Sequence, residues 1–293
     1  MMRNVLSQFA ALAALGLGVL PAAHAESGWA QLNMPQGVTA MSRQIYGLHM
    51  LMFWMCCAVA LVVFGFMTYS IFAFRKSRGA VADTTLVHST TVEIIWTILP
   101  IFILVATAVP AATTLIKTED LRNSELTIRV TGFQWGWNYE YLNSGVSFFS
   151  RLDRASDAAR QLGSGIDVTT VPHYLLNVDR PLVVPVGTKV RLLVTASDVI
   201  HSWWVPQFGV KKDAIPGFVN ETWFNIDADK PGLYRGNCAE LCGRDHGFMP
   251  IVVDARSKQD FQAWLKAIQL EQHPPAAPAD ASAPASAPAA TAQ

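Results

Sequence analysis

The sequence predicts a membrane-anchored all-β protein, a two-helix transmembrane hairpin followed by a β-sandwich. Three observations lead there. The 293 residues are 51% apolar but only 15% charged, against about 25% charge in an ordinary soluble protein. The charge-free residues are gathered, not spread: no Asp, Glu, Lys or Arg occurs in 44–74 or in 94–116. Each stretch reaches the roughly 20 apolar residues needed to cross a bilayer. Beyond them, from Glu125, short alternating segments are divided by Gly and Pro turns, the pattern of a sandwich or barrel.

The elements follow in chain order. Arg3, the apolar run Leu6 to Leu20 and the small-x-small end Ala23-His24-Ala25 describe a signal peptide over residues 1–25. An exported segment, 26–43, leads to a first transmembrane helix, 44–74. Arg75, Lys76 and Arg78 follow at once and hold the linker 75–92 on the cytoplasmic side. The second helix, 93–117, returns the chain outward. Its Pro100 and Pro110 are tolerated where neighbours re-satisfy the backbone. Residues 118–270 then lie outside the cytoplasm; in a bacterium that is the periplasm, with the helices in the inner membrane. Cys56 and Cys57 lie in the first helix and read as small packing residues.

Leu126, Ile128 and Val130 alternate with polar residues as in a half-buried strand. The aromatic run Phe133 to Tyr141 also suits a strand, with Trp135, Trp137 and Tyr139 on one face by period two. Pro185-Val186-Gly187-Thr188 divides two further strands. Residues 232–236 and 251–253 read as short strands, and 143–172 as a loop insertion. Ser257 caps a closing helix whose Phe261, Trp264, Leu265 and Ile268 share one face. The Pro/Ala-rich tail 271–293 has too little apolar bulk for a core and reads as disordered.

Twenty-two basic against 22 acidic residues give zero formal charge, which speaks against a dedicated nucleic-acid binder. Four cysteines are too few for a disulfide scaffold. Two of them belong to the strongest motif, Cys238-Ala-Glu240-Leu-Cys242-Gly-Arg-Asp-His246-Gly-Phe-Met249, with His201 upstream. Soft thiolate and thioether donors with imidazole select copper, or zinc if tetrahedral. A Cys238–Cys242 disulfide and a structural zinc site compete with copper. The disulfide gives no reason for His246 and Met249, and Met is a poor zinc ligand. A mononuclear copper site would leave one cysteine idle. Two coppers bridged by both sulfurs use the whole set.

With these residues in view, the chain resembles subunit II of the haem–copper cytochrome c oxidases over roughly residues 40–270. The copper motif carries the likeness, as do Glu93-Ile-Ile-Trp-Thr-Ile-Leu-Pro100, Asp213-Ala-Ile-Pro-Gly217 and Pro231-Gly-Leu-Tyr234. The resemblance implies a cupredoxin-like β-sandwich on the two-helix anchor. It implies a dinuclear CuA centre with Cys238 and Cys242 as bridging thiolates. His201 with Met249 would complete one copper, and His246 with the Glu240 carbonyl the other. The Glu240 carboxylate would reach a magnesium or manganese ion shared with subunit I. Trp135 matches the tryptophan through which electrons arrive from cytochrome c, although Phe133 and Gly136 depart from the commoner pattern. Glu140 and Asp198 match acidic docking positions, with Ser197 where a further acid is common. Glu93 matches the mouth of a proton path.

The implied activity is that of an oxidase subunit. It would take electrons from reduced cytochrome c and pass them to haem in subunit I, where oxygen is reduced to water and protons are pumped. Subunit III and membrane lipid are further implied partners. A copper-free quinol oxidase subunit II conflicts with the complete ligand set. A tethered copper-binding protein outside any oxidase gives no reason for Glu93, Glu240 and Trp135. Nitrous-oxide reductase shares a CuA domain, but this chain lacks room for its propeller. No Cys-x-x-Cys-His occurs, so no covalent haem is implied.

Overall fold

The computed structural model describes residues 33–81, 84–85 and 88–273. The expected signal peptide and all but the first residues of the expected tail lie outside them. All contacts below fall within one compact unit that starts at Gln36.

Two long helices come first, α1 (Ala40–Ala73) and α2 (Thr90–Thr118). Both are long and apolar enough to cross a membrane, and almost none of their apolar surface is covered. Each begins four residues ahead of its charge-free stretch, the first at a side-chain cap from Thr39. The helices touch through polar side chains. Gln44 Nε2 donates to Thr114 Oγ1 at 3.1 Å, and the Thr114 hydroxyl donates to the Pro110 carbonyl at 2.8 Å.

Ten strands form two five-stranded sheets. One holds β1 (Leu126–Phe133), β2 (Gly136–Tyr141), β3 (Val146–Ser150), β5 (Val190–Ala196) and β8 (Asn220–Phe224) in the order β3-β2-β1-β5-β8. The other holds β4 (Leu182–Pro185), β6 (His201–Val205), β7 (Val210–Ala214), β9 (Gly232–Cys238) and β10 (Pro250–Arg256) in the order β4-β10-β9-β6-β7. Alternation supplies the core between them: Ile128, Val130, Leu192 and Val194 face inward from the first sheet, Trp203, Val205, Ile251 and Val253 from the second. Each large side chain so buried contributes roughly 1.5–3 kcal/mol. The closing helix, α4 (Lys258–Gln272), is capped by Ser257, which accepts from the Asp260 amide at 3.1 Å. Its Phe261, Trp264, Leu265 and Ile268 pack on the core as their spacing requires.

Two expectations are corrected. The aromatic run is not one strand: the chain turns at Gln134-Trp135 and splits it between β1 and β2. Trp135 therefore leaves the face that Trp137 and Tyr139 share, and only those two enter the core. The stretch 143–172 is not all loop. It contains β3, whose Val146 and Phe148 alternate inward, and a short helix α3 (Arg154–Ala159) capped by Asp153.

The sandwich is held to the helix ends by buried hydrogen bonds at Thr39 and by two surface ion pairs. Thr39 caps α1: its Oγ1 accepts from the Ser42 amide at 2.9 Å, and Ser42 Oγ accepts from the Thr39 amide at 3.1 Å. The same Thr39 hydroxyl donates to the Phe208 carbonyl at 2.9 Å. Arg43 pairs with Asp227 at 2.5 Å, and Lys212 with Glu119 at the end of α2 at 3.2 Å. Thr39→Val removes the cap and strands the Phe208 carbonyl. It should cost about 1–2 kcal/mol. A thermal melt of the full chain in detergent should show a lower midpoint, and an unchanged midpoint would remove Thr39 from the coupling of anchor to sandwich.

Candidate metal centre

Backbone pairing assembles the centre. His201 opens β6 and Cys238 closes β9, and these strands are antiparallel neighbours with Trp203 opposite Cys238. From Cys238 the chain loops out and returns at Met249, whose carbonyl accepts from the Cys238 amide at 3.0 Å. Cys242 and His246 lie on that loop. His201, Cys238, Cys242 and Met249 are each at most 2% exposed, and His246 is half-buried.

The donor atoms converge. Cys238 Sγ lies 3.8 Å from Cys242 Sγ, and both thiols are free. A disulfide needs about 2.05 Å, so these sulfurs are unbonded, yet both can reach one ion at about 2.3 Å. His201 Nδ1 is 4.0 Å from Cys238 Sγ, and His246 Nδ1 is 3.6 Å from Cys242 Sγ. His201, Cys238 and Cys242 form a mutual cluster within 4.8 Å that excludes His246. Each thiol thus has an imidazole nitrogen within 4.0 Å, and both imidazoles act on Cys238. The Glu240 carbonyl lies 3.3 Å from Cys238 Sγ while that residue is exposed, so one residue offers a carbonyl to the sulfurs and a carboxylate near solvent. Soft sulfur and imidazole donors in this arrangement fit copper.

The two thiols are unequal. Burial pushes the Cys238 thiol up, but hydrogen bonding with His201 and the Ser202 backbone outweighs it and brings the thiol down to about 7. Burial and then the neighbouring Cys238 charge push Cys242 up to about 12. Without metal, the pair therefore retains a proton at neutral pH, and metal binding must expel it. Burial works to lower the His201 pKa, but Cys238 and Asp198 outweigh it and raise the net value.

Asp198, expected as a docking acid, also serves the centre. Its Oδ1 is 2.9 Å from His201 Nε2 and accepts the Val199 amide at 2.7 Å. Its Oδ2 accepts the Gln134 amide at 2.7 Å. Such a carboxylate leaves Nδ1 directed at the metal side. Burial favours its neutral form, but these bonds prevail and hold the carboxyl below its ordinary range.

Trp135, at the β1–β2 turn, donates its indole N–H to the Cys242 carbonyl at 3.2 Å. Gln134 Nε2 donates to the same oxygen at 2.9 Å. Two glycines that no sequence pattern singles out make room. A Cβ on Gly132 would lie 2.8 Å from the His201 ring, and one on Gly243 would lie 2.9 Å from Gln134 Nε2 and 3.3 Å from Trp135. Glu140 is half-exposed on β2 and paired with Arg129 opposite it, with Nε donating at 3.0 Å. Glu93 lies in the first turn of α2, far in sequence from the cluster and outside it. The carboxylate of Asp198, three residues ahead of a candidate ligand, is the part of this surround that spacing could have revealed.

Comparison with known proteins follows the same residues. Residues 126–256 match the family model described as cytochrome C oxidase subunit II, periplasmic domain. Residues 27–113 match the one described as its transmembrane domain. The chain is 38% identical over 236 residues to the "Probable cytochrome c oxidase subunit 2" of Rickettsia prowazekii, covering 80% of this chain and 71% of that one. It is 35% identical over 234 residues to the "Cytochrome c oxidase subunit 2" of Cereibacter sphaeroides, covering 77% and 76%. A crystal structure of the periplasmic domain of subunit II of cytochrome oxidase (CoxB) of Bradyrhizobium japonicum is 39% identical to it, covers 52% of this chain and 98% of that one, and superposes with a TM-score of 0.45. The chain belongs to the cytochrome c oxidase subunit II family, membrane-anchored subunits with an extramembrane domain that work assembled with other subunits of an oxidoreductase complex.

Proposed function

We propose that this subunit accepts electrons from cytochrome c at a dinuclear copper centre and delivers them to the haem–copper centres of subunit I, where oxygen is reduced to water with proton pumping. The observation that carries the reading is two unbonded thiols 3.8 Å apart, each with an imidazole nitrogen within 4.0 Å. Cys238 and Cys242 would bridge, His201 and Met249 would complete one copper, and His246 and the Glu240 carbonyl the other. Bound there, copper supplies reversible one-electron chemistry. Trp135 holds the path from the surface, its indole bonded to the carbonyl of a bridging residue.

Several finer assignments belong to the same proposal. The exposed Glu240 carboxylate is a hard oxygen donor suited to magnesium or manganese at the contact with subunit I. Asp198 and Glu140 contribute the acid expected by a basic cytochrome, and Glu93 stands at a proton-path mouth on the cytoplasmic side. A bacterial inner membrane with the sandwich in the periplasm fits Arg75, Lys76 and Arg78 between the helices. Subunit III and lipid complete the partner set.

Full chain loaded with copper in detergent should give an EPR spectrum of one unpaired electron shared over two equivalent coppers. A mononuclear spectrum, or no uptake, would sink the reading. Trp135→Phe should slow oxidation of cytochrome c by the assembled oxidase while copper content stays the same; an unaltered rate would take Trp135 off the path. Asp198→Asn should weaken copper retention against a chelator by about 10–100-fold, the usual effect of losing a carboxylate behind a ligating imidazole. If retention is unchanged and only the salt dependence of the cytochrome c reaction moves, Asp198 acts in docking alone.

A further inference from the structure

The two sides of the centre are held differently. His201 is wedged by Gly132, lies edge-on to Trp137 at 6.0 Å between centroids, and is bonded through Nε2 to Asp198. His246 is half-buried, and among the described residues its Nε2 has no hydrogen-bond partner. Something else must fix the loop that carries it, because a mobile imidazole is a poor ligand.

The segment between β3 and β4 supplies a candidate. Its helix α3 is tied into the segment, since the buried Ser156 Oγ accepts the Leu175 amide at 3.1 Å and a β-bridge joins Leu152 to Val178. Arg160 follows α3 directly. Its guanidinium carbon lies 4.5 Å from the centroid of the Phe248 ring. Its Nη1 lies 3.6 Å from Asp245 Oδ1, and its Nε donates to Asp157 at 2.8 Å. Asp245 and Phe248 are the two ends of one tight turn, closed by the Phe248 amide on the Asp245 carbonyl at 2.9 Å. That turn contains His246 and hands the chain to Met249. Asp245 also meets Arg244 at 3.3 Å, whose guanidinium lies 5.6 Å from the Trp135 ring centroid.

We infer that Arg160 is a positioning residue for the metal centre: by gripping both ends of the Asp245–Phe248 turn, it fixes the His246 and Met249 donors. The inference rests on the copper reading for its purpose, though the grip itself is a property of the chain. Its chemistry calls for arginine. A planar guanidinium can lie on a ring and reach a carboxylate at once, whereas an ammonium is a compact point charge.

The test uses the full chain in detergent with Arg160→Ala, Arg160→Lys and, as a control on the same segment, Arg154→Ala. Arg160→Ala should speed amide exchange across residues 243–249 in the metal-free protein. In copper-loaded protein it should speed copper loss to a chelator about three- to tenfold, the range expected for a cation–π contact and one ion pair, and alter the copper hyperfine splitting. Arg160→Lys should fall between, and Arg154→Ala should match wild type. Unchanged exchange in Arg160→Ala would overturn the grip. Faster exchange with unchanged copper loss and hyperfine splitting would overturn the positioning role. If Arg160→Ala merely lowers the melting midpoint, Arg160→Lys at the wild-type midpoint but with wild-type exchange and spectrum would also overturn it. Should wild type take up no copper, the exchange measurement still decides the grip, and the positioning role falls with the copper reading.

Discussion

The antiparallel contact between β6 and β9 sets the position of the donors. It covers few residues, but it places Trp203 opposite Cys238, and the Ala239 amide donates to the Ser202 carbonyl at 3.0 Å. That contact brings His201 and Cys238, far apart in sequence, into one cluster. Gly236 makes it feasible: a Cβ there would lie 2.0 Å from the Trp204 carbonyl oxygen, so any other residue would force the strands apart. Once Cys238 is fixed, its backbone bond to Met249 closes the loop. Cys242 and His246 then have little freedom about which side of the sulfur pair they face.

Burial and charge act against each other inside that frame. Two thiols taken from water resist ionisation, and the first to ionise makes the second harder. The fold answers chiefly at Cys238, by setting His201, His246 and backbone groups around it. The pair keeps a proton until a cation arrives. A site prepared in this way is poised for a soft metal and does not store two bare thiolates in a buried pocket. The remaining neighbours act through geometry. Asp198 sets the orientation of His201, and the Gln134–Trp135 turn closes over the Cys242 carbonyl.

Much of this was legible in the sequence, and the reason is local. The Cys-x₃-Cys-x₃-His-x₂-Met spacing lies within one loop, so its donors must end near each other wherever the loop goes. The charge-free helices and the α4 stripe are local patterns too. What escaped depends on contacts between segments. The aromatic run reads as one strand because every residue in it suits a strand; only the pairing of β1 with β2 shows that Gln134 and Trp135 turn instead. Gly132 and Gly243 look like ordinary glycines until the His201 and Trp135 rings are seen against them. Arg160 is one arginine among several in a polar stretch, and nothing in its neighbours points to Phe248.

The same distinction separates the two acids that the sequence offers for a basic partner. Residues 117–270 hold 17 basic and 17 acidic side chains, so attraction must come from a local surplus of negative charge. Glu140 is opposed by Arg129, and a guanidinium cancels the charge it binds. Asp198 is bonded by an imidazole and two backbone amides. An imidazole whose Nδ1 holds a metal is neutral, as are amides, and neutral donors orient a carboxylate without cancelling it. Asp198 is also bonded to the residue next to Trp135. One carboxylate can therefore hold a ligand from behind and keep its negative charge at the edge of the turn that carries the indole, whereas Glu140 must first give up Arg129.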